Sequence, residues 1–286
     1  MNIKKLFALL LVALLALSMV ACGNKEDDVD TEDDEQTAES NQYENFTYGV
    51  SGEGTYEITG YTYGGTEFQD ITIPSEIGGR EVTGIAKDAF KAVKTIRSVT
   101  IPEGITYIGQ YAFYDCDNIT SIVLPSTVTE IGVGAFENCD KLASVTLSAS
   151  LKKIDKYTFK DCAVLTGVTI PESVKVIADG AFYGCAAITT ITLPGELTDL
   201  GACAFYGCTA LKTATVLSEK LGVNEEIAVD EEEVEIVEHT IGEKAFAGCD
   251  PDSKGQTQTV FTVTAGSKFA AYAAAEGYDT VAPQAN

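Results

Sequence analysis

Basic residues are scarce in this chain: 19 Lys and Arg stand against 43 Asp and Glu, a formal net charge of −24 over 286 residues. Nucleic-acid binding is excluded on that ground, because a phosphate backbone is held by clustered cations. Electrostatic docking on an anionic lipid surface is excluded for the same reason. Histidine is nearly absent, with His239 alone, so a zinc site built on several histidines cannot form. Any Ser-His-Asp triad would have to use that one residue. Tryptophan is missing altogether. Gly-rich phosphate loops, nucleophile elbows and metal-ligand spacings are also missing. Carboxylates remain abundant, so two-carboxylate chemistry is not excluded by composition.

Only one long apolar run exists, Leu6–Leu17. Lys4 and Lys5 precede it, and it is short for a membrane span but suits a signal-peptide core. It ends in Leu17-Ser18-Met19-Val20-Ala21-Cys22, which resembles the bacterial lipobox, with Met19 where Leu is usual. The resemblance implies removal of residues 1–21 and lipid attachment at Cys22, with two acyl chains sufficient for stable anchoring. Residues 24–40 then carry nine acids and one Lys. So few apolar groups cannot offset chain entropy, and like charges extend the segment. Residues 22–45 are therefore read as a lipidated Cys and an acidic, disordered tether.

The remainder is periodic. Phe90, Phe113, Phe136, Phe159, Phe182 and Phe205 recur at intervals of 23. Ala precedes each except Phe159, which follows Thr158. Three residues after the Phe stand Cys116, Cys139, Cys162, Cys185 and Cys208, with Val93 in the first unit. Five residues before stand Ile108, Ile131, Ile154, Ile177 and Leu200, often followed by Gly. Ala245-Phe246 and Cys249 repeat the pattern after a gap of 41. A fixed period in this range marks a leucine-rich or similar solenoid, whose coils bury an apolar edge only by stacking. The stretch L-x-x-V-x-L, seen in Leu142–Leu147, reads as a strand, and a following Pro ends its ladder.

The unit resembles the BspA-like leucine-rich repeat of bacterial surface proteins. Further likeness lies in Phe46-Thr47-Tyr48, Gly54–Tyr61 and Ile73–Val82 at the start, and in Gly266-Ser267 through Gly277-Tyr278 at the end. The resemblance implies capped ends, the last with a short Ala-rich helix after a strand. The expected fold is a repeat solenoid, a right-handed β-rich coil with parallel strands and short helical or turn segments. The expected organisation is a signal peptide at 1–21, the tether at 22–45, the solenoid at 46–265 and a C-terminal cap and tail at 266–286. An inserted acidic β-hairpin is expected at about 218–235, where apolar residues flank Asp230–Glu233.

Cysteines at one phase point to buried thiols: a column that accepts Val93 is a packing position, and stacked side chains run parallel. Cys203 lies outside that column. Two outward columns are candidate ligand contacts. One is a row of hydroxyls on the strands, with Thr146, Thr169, Thr192 and Thr215 as its members. The other follows each Phe, as Tyr114, Glu137, Lys160, Tyr183 and Tyr206, with Tyr favoured at recognition surfaces. Plain strand propensity explains the threonines equally well.

No catalytic residues, metal ligands or cofactor are expected. The expected role is a lipid-anchored, extracytoplasmic protein on a bacterial envelope that recognises an extracellular protein or glycan. An envelope scaffold or substrate-capture component is the alternative, and a two-carboxylate glycosidase would need a cleft that a regular rod does not offer. Cys22→Ala protein should leave the membrane fraction, and mass spectrometry of the wild type should find an acylated N-terminal Cys22.

Overall fold

The computed structural model describes residues 41–223, 225–228, 234–237, 240–247, 260–263 and 267–283. The signal segment, Cys22, most of the tether, the acidic tip Asp230–Glu233, His239 and Cys249 lie outside the described residues.

Within those residues the chain winds into a parallel-strand solenoid of about eight turns, with almost no helix. Each coil contributes two strands. The longer one follows the Leu/Ile after the Cys, as in Ser121–Val123, Ser144–Thr146 and Gly167–Thr169. The shorter one carries the Ile/Leu before the Phe, as in Glu130–Ile131, Lys153–Ile154 and Val176–Ile177. Both pair in parallel with their counterparts one coil away, so Val145 meets Ile122 on one side and Val168 on the other. Alternation along the longer strand turns Val145 inward and Ser144 and Thr146 outward, as the two-residue period of a strand requires.

Phenylalanines form the axis of the core. Phe90, Phe113, Phe136, Phe159, Phe182, Phe205 and Phe246 are fully buried. Successive rings lie 4.8–5.6 Å apart with interplanar angles of 2–18°. The backbone is laddered at the same place: the Phe136 N–H donates to the Thr158 carbonyl at 2.9 Å, and the Phe159 N–H to the Ala181 carbonyl at 2.8 Å. Thr158, standing where the other coils have Ala, is buried and its hydroxyl donates to the Asp155 carbonyl. A buried hydroxyl without that partner would be costly.

Cysteines close the other side of the turn. Cys116, Cys139, Cys162, Cys185 and Cys208 are all buried. Each thiol donates to the carbonyl of the Phe one coil back, Cys116 to Phe90 at 3.0 Å and Cys208 to Phe182 at 3.3 Å. Burial pushes the thiols of Cys116 and Cys185 up, and a hydrogen bond with Cys162 does the same for Cys139. The first coil, with Val93 in the column, lacks the thiol and keeps the packing. A thiol in this column therefore acts as a small apolar group with one backbone bond.

Edge-on aromatics end the stack. Phe46 meets Phe90 at 77°, and Phe261 and Phe269 meet Phe246 at 79° and 90°. At the start, Phe46–Val50 and Tyr56–Tyr61 pair antiparallel, and the second of these passes to parallel pairing with Arg80–Ile85. Gly78 and Gly79, both at positive φ, make the two-residue turn between Glu76–Ile77 and Arg80–Ile85, a geometry that disfavours side chains. At the end, a helix over Lys268–Ala275 is N-capped by Ser267 and packs Phe269 and Ala273 inward. Asp279–Val281 then adds a last parallel strand beside Val260–Thr262.

Two boundaries differ from the sequence expectation. Folded structure begins before Phe46, because Asn41–Tyr43 pairs antiparallel with Phe46–Val50. The inserted hairpin has its arms at Glu225–Ala228 and Val234–Val237, later than 218–235. Residues just after Val216 stay on the stack: the Leu217 N–H donates to the Leu193 carbonyl, the Gly222 N–H to the Thr198 carbonyl, and Leu221 is buried. After the hairpin Ile241 bridges Leu200, and the coil resumes.

Truncating one ring opens a cavity between two neighbours. Phe136→Ala is expected to lose about 3–5 kcal/mol, read as a lowered urea midpoint. Thr146→Ala, on the outward side of the same coils, should change stability by no more than about 0.5 kcal/mol.

Candidate functional site

The hydroxyl row is assembled by strand register. Thr146 stands opposite Thr169, Thr190 opposite Thr213, and Thr192 opposite Thr215. Thr146, Thr169 and Thr192 are exposed and Thr215 is half-buried. Val123 interrupts the row and, at 62%, is the most exposed large apolar side chain among the described residues. At its N-terminal end lies a shallow depression of about 330 Å³, lined by Ser98, Thr100, Ser121 and Val123 among others. Beside it Arg97 grips Asp70 with two donors while Ser98 adds a third bond, holding the Asp70 carboxyl down at about 2. Asp70 lies on the strand Gln69–Thr72 and Arg97 on its parallel neighbour Ile96–Thr100; both side chains are exposed, so the pair links these strands and contributes little energy.

The second column is more varied than the sequence suggests. Tyr114, Lys160, Tyr183 and Tyr206 are half-buried, and Glu137 is buried at 9% exposure. Burial of Glu137 is compensated by Lys160, whose ammonium donates to its carboxylate at 2.6 Å. That bond holds the Lys160 pKa above its ordinary value. Tyr183 and Tyr206 stack on each other at 4.9 Å and 13°. Tyr114 accepts from the Asn138 amide through its hydroxyl. The stripe expected to be exposed is thus partly tied up in coil-to-coil contacts: a hydrogen bond at Tyr114, an ion pair between Glu137 and Lys160, and ring stacking between Tyr183 and Tyr206.

A neighbouring column completes a groove of about 550 Å³. Its positions lie two residues before each Phe, and Tyr111, Gly134, Tyr157, Gly180 and Cys203 all adopt positive φ. Tyrosine and glycine alternate there for a steric reason. A Cβ on Gly134 would lie 2.3 Å from the Tyr111 ring, and one on Gly180 would lie 2.5 Å from the Tyr157 ring. Each ring therefore lies over the glycine of the next coil. Tyr157 remains 40% exposed. Of the columns beside each Phe, the sequence expectation placed ligand contacts only in the one after it; the signal for this one is the alternation of Tyr111, Gly134, Tyr157 and Gly180 two residues before the ring. The hydroxyl depression and this groove have no lining residue in common.

Glu137 and Asp179 both line the groove, so a two-carboxylate mechanism has to be weighed. Lys156 lies 2.8 Å from Asp179 and holds its carboxyl below the usual range. A glycosidase needs one carboxyl raised so that it stays protonated. Asp179 is shifted the opposite way, and Glu137 is already bound to Lys160. Tyr107, strongly raised by burial and by its bond to Glu57, sits in the N-terminal part of the short-strand sheet and braces that part. Among the described residues no group of His, Cys, Asp and Glu could hold a metal ion. No helix among them is long and apolar enough to cross a membrane.

Parallel coils of 23 residues, an aromatic axis and capped ends define a leucine-rich repeat solenoid. Residues 56–185 and 83–212 match the BspA type leucine rich repeat region in six copies, and the chain belongs to that family. Comparison with curated proteins yields no match. Among solved structures, a leucine-rich repeat protein of T. pallidum is 32% identical with a TM-score of 0.57, covering 62% of this chain and 85% of that one. A leucine-rich cell surface protein of Faecalibacterium prausnitzii A2-165 is 28% identical with a TM-score of 0.51, covering 66% and 58%.

Of the thiols placed in the structure, only Cys203 is partly exposed, at the rim of the groove. Alkylation of the native protein should modify Cys203 first. Cys116, Cys139, Cys162, Cys185 and Cys208 should react only as the stack unfolds, as peptide mass spectrometry would show.

Proposed function

We propose that this protein is a lipid-anchored recognition protein of a bacterial cell surface that binds an extracellular protein or glycan and catalyses no reaction. One observation carries the reading: outward side chains of the longer strands line up coil by coil, Thr146 with Thr169 and Thr192 with Thr215, while the inward Phe, Cys and Ile columns are consumed by stacking. A surface of this kind is extended and low in conformational freedom, which suits contact with a large or repetitive ligand. The cell-surface placement is supported by the F. prausnitzii neighbour, described as a leucine rich cell surface protein. Anchoring rests on the Cys22 segment alone, and the acidic tether then serves as a spacer. The non-catalytic part is supported by the two groove carboxylates, each tied to a lysine.

The contacts assigned to ligand are Thr146, Thr169, Thr192 and Thr215 on the strand face and Tyr114, Tyr183 and Tyr206 on the turn face. The test is an array of matrix proteins and glycans probed with the full chain in detergent. Capture of at least one ligand is expected, weakened by Ala at Thr169 and Thr192 or at Tyr183 and Tyr206. Binding confined to other envelope components would contradict it and favour a scaffold.

A further inference from the structure

We infer that Lys152 and Lys175, on the face of the shorter strands, form a binding site for a phosphate group, carried as a monoester on an extracellular ligand or free in solution. The site is separate from the threonine and tyrosine contacts assigned above, and neither lysine lines the depression or the groove. It goes beyond the recognition reading and does not rest on it.

Register brings the two lysines together. Lys153–Ile154 pairs in parallel with Val176–Ile177, and the Lys175 N–H donates to the Lys152 carbonyl at 2.8 Å. Lys152 thus stands opposite Lys175, one strand spacing of about 4.8 Å away. Both are exposed, as is Lys153 beside them. No other two lysines among the described residues occupy the same position on adjacent coils.

The acids around this pair are engaged elsewhere. Asp155 lies 3.2 Å from Lys153 and accepts the Lys156 N–H, and Asp179 holds Lys156 at 2.8 Å. Glu196 holds Lys220 at 2.7 Å, and Asp199 accepts the Thr240 N–H. Glu130, one coil before Lys153, makes no ion pair with it among the described residues. The side chains of Lys152 and Lys175 form no hydrogen bond or ion pair among the described residues.

Stacking does not call for lysine here. Thr106, Thr129 and Thr198 fill the same column in other coils, and each hydroxyl donates to the carbonyl one coil back, of Thr83, Thr106 and Lys175 respectively. Lysine gives up that bond and sets two like charges opposite each other, which destabilises a sheet. A bound dianion removes the repulsion. A phosphomonoester carries about −1.5 to −2 at pH 7 and three acceptor oxygens, so its charge matches two ammonium groups. Lysine holds phosphate as a point charge with three rotatable donors, without the planar fork by which Arg grips a carboxylate. A sulfate ester offers the same oxygens with a single charge. The acidic excess of the chain does not forbid the contact, because charges beyond about 8 Å are screened at physiological salt.

The experiment is isothermal titration of the full chain with glucose 6-phosphate, glucose 6-sulfate, glucose and inorganic phosphate. Glucose 6-phosphate is expected to bind, glucose 6-sulfate more weakly, and glucose not at all. The double variant Lys152→Thr/Lys175→Thr should lose about tenfold or more in affinity for glucose 6-phosphate, since hydrogen bonds to charged groups are the strong ones. Thr is the residue of this column in other coils, so the variant should keep its fold, and a thermal melt no lower than that of the wild type checks it. Tighter binding of glucose 6-phosphate than of inorganic phosphate assigns the site to an ester, and equal binding assigns it to free phosphate; both uphold a phosphate site. Failure of both phosphates to bind, equal binding of glucose, or undiminished binding by the folded double variant overturns the inference.

Discussion

A ring in the middle of the phenylalanine stack has no partner within its own coil that could replace the two rings above and below it. Its burial exists only because the next coil has closed over it at 4.8–5.6 Å. Offset stacking at that separation adds to plain area burial. The strand spacing and the ring spacing are nearly the same length, so the backbone ladders and the aromatic column reinforce each other. Stability in such an array is a sum of nearest-neighbour terms. The terminal rings are therefore its weak points, and both ends are met by aromatics turned edge-on: Phe46 at one, Phe261 and Phe269 at the other.

The same constraint accounts for the two columns of left-handed backbone that flank each Phe. The chain must reverse on either side of the ring, and it does so at positive φ two residues before and two residues after it. Asp115, Asn138, Asp161, Gly184 and Gly207 suit the second column, since Asn, Asp and Gly tolerate that region best. The first column holds Tyr111, Tyr157 and Cys203, which tolerate it poorly. Those residues stay there because the ladder bonds on both sides leave the backbone no other path. Bulky side chains held at left-handed positions stand away from the core, and so the strain of the turn and the exposure of the tyrosines have one origin.

Charge takes a secondary place in this architecture. Two short segments, 24–40 and 219–238, hold eighteen of the acids against two lysines. Within the solenoid the acids at the groove are matched by lysines one coil away, Glu137 by Lys160 and Asp179 by Lys156. Such pairs use the 23-residue period as the stacked rings do. They neutralise Glu137 and Asp179 at the groove, while the chain outside the two segments keeps a smaller acidic excess, 25 acids against 17 bases.

Much of this was written in the order of residues alone. The 23-residue interval of Phe, Cys and Ile required stacked parallel coils, because no single coil can bury those groups and each coil repeats the same inward positions. Val93 in the cysteine column showed that the thiols pack and do not pair. The outward phase of Thr146, Thr169 and Thr192 followed from the two-residue period of the strand. What the tertiary structure decided is what lies across from each residue in the next coil. Exposure of Glu137, Tyr114 and Tyr183 is set by neighbours 23 residues away, and their phase in the repeat does not distinguish a free side chain from one bonded to the adjacent turn. The groove at Tyr111 and Tyr157 depends on a ring in one coil resting on a glycine in the next. That contact exists only after stacking, so the alternation carries meaning once the coils are placed on one another.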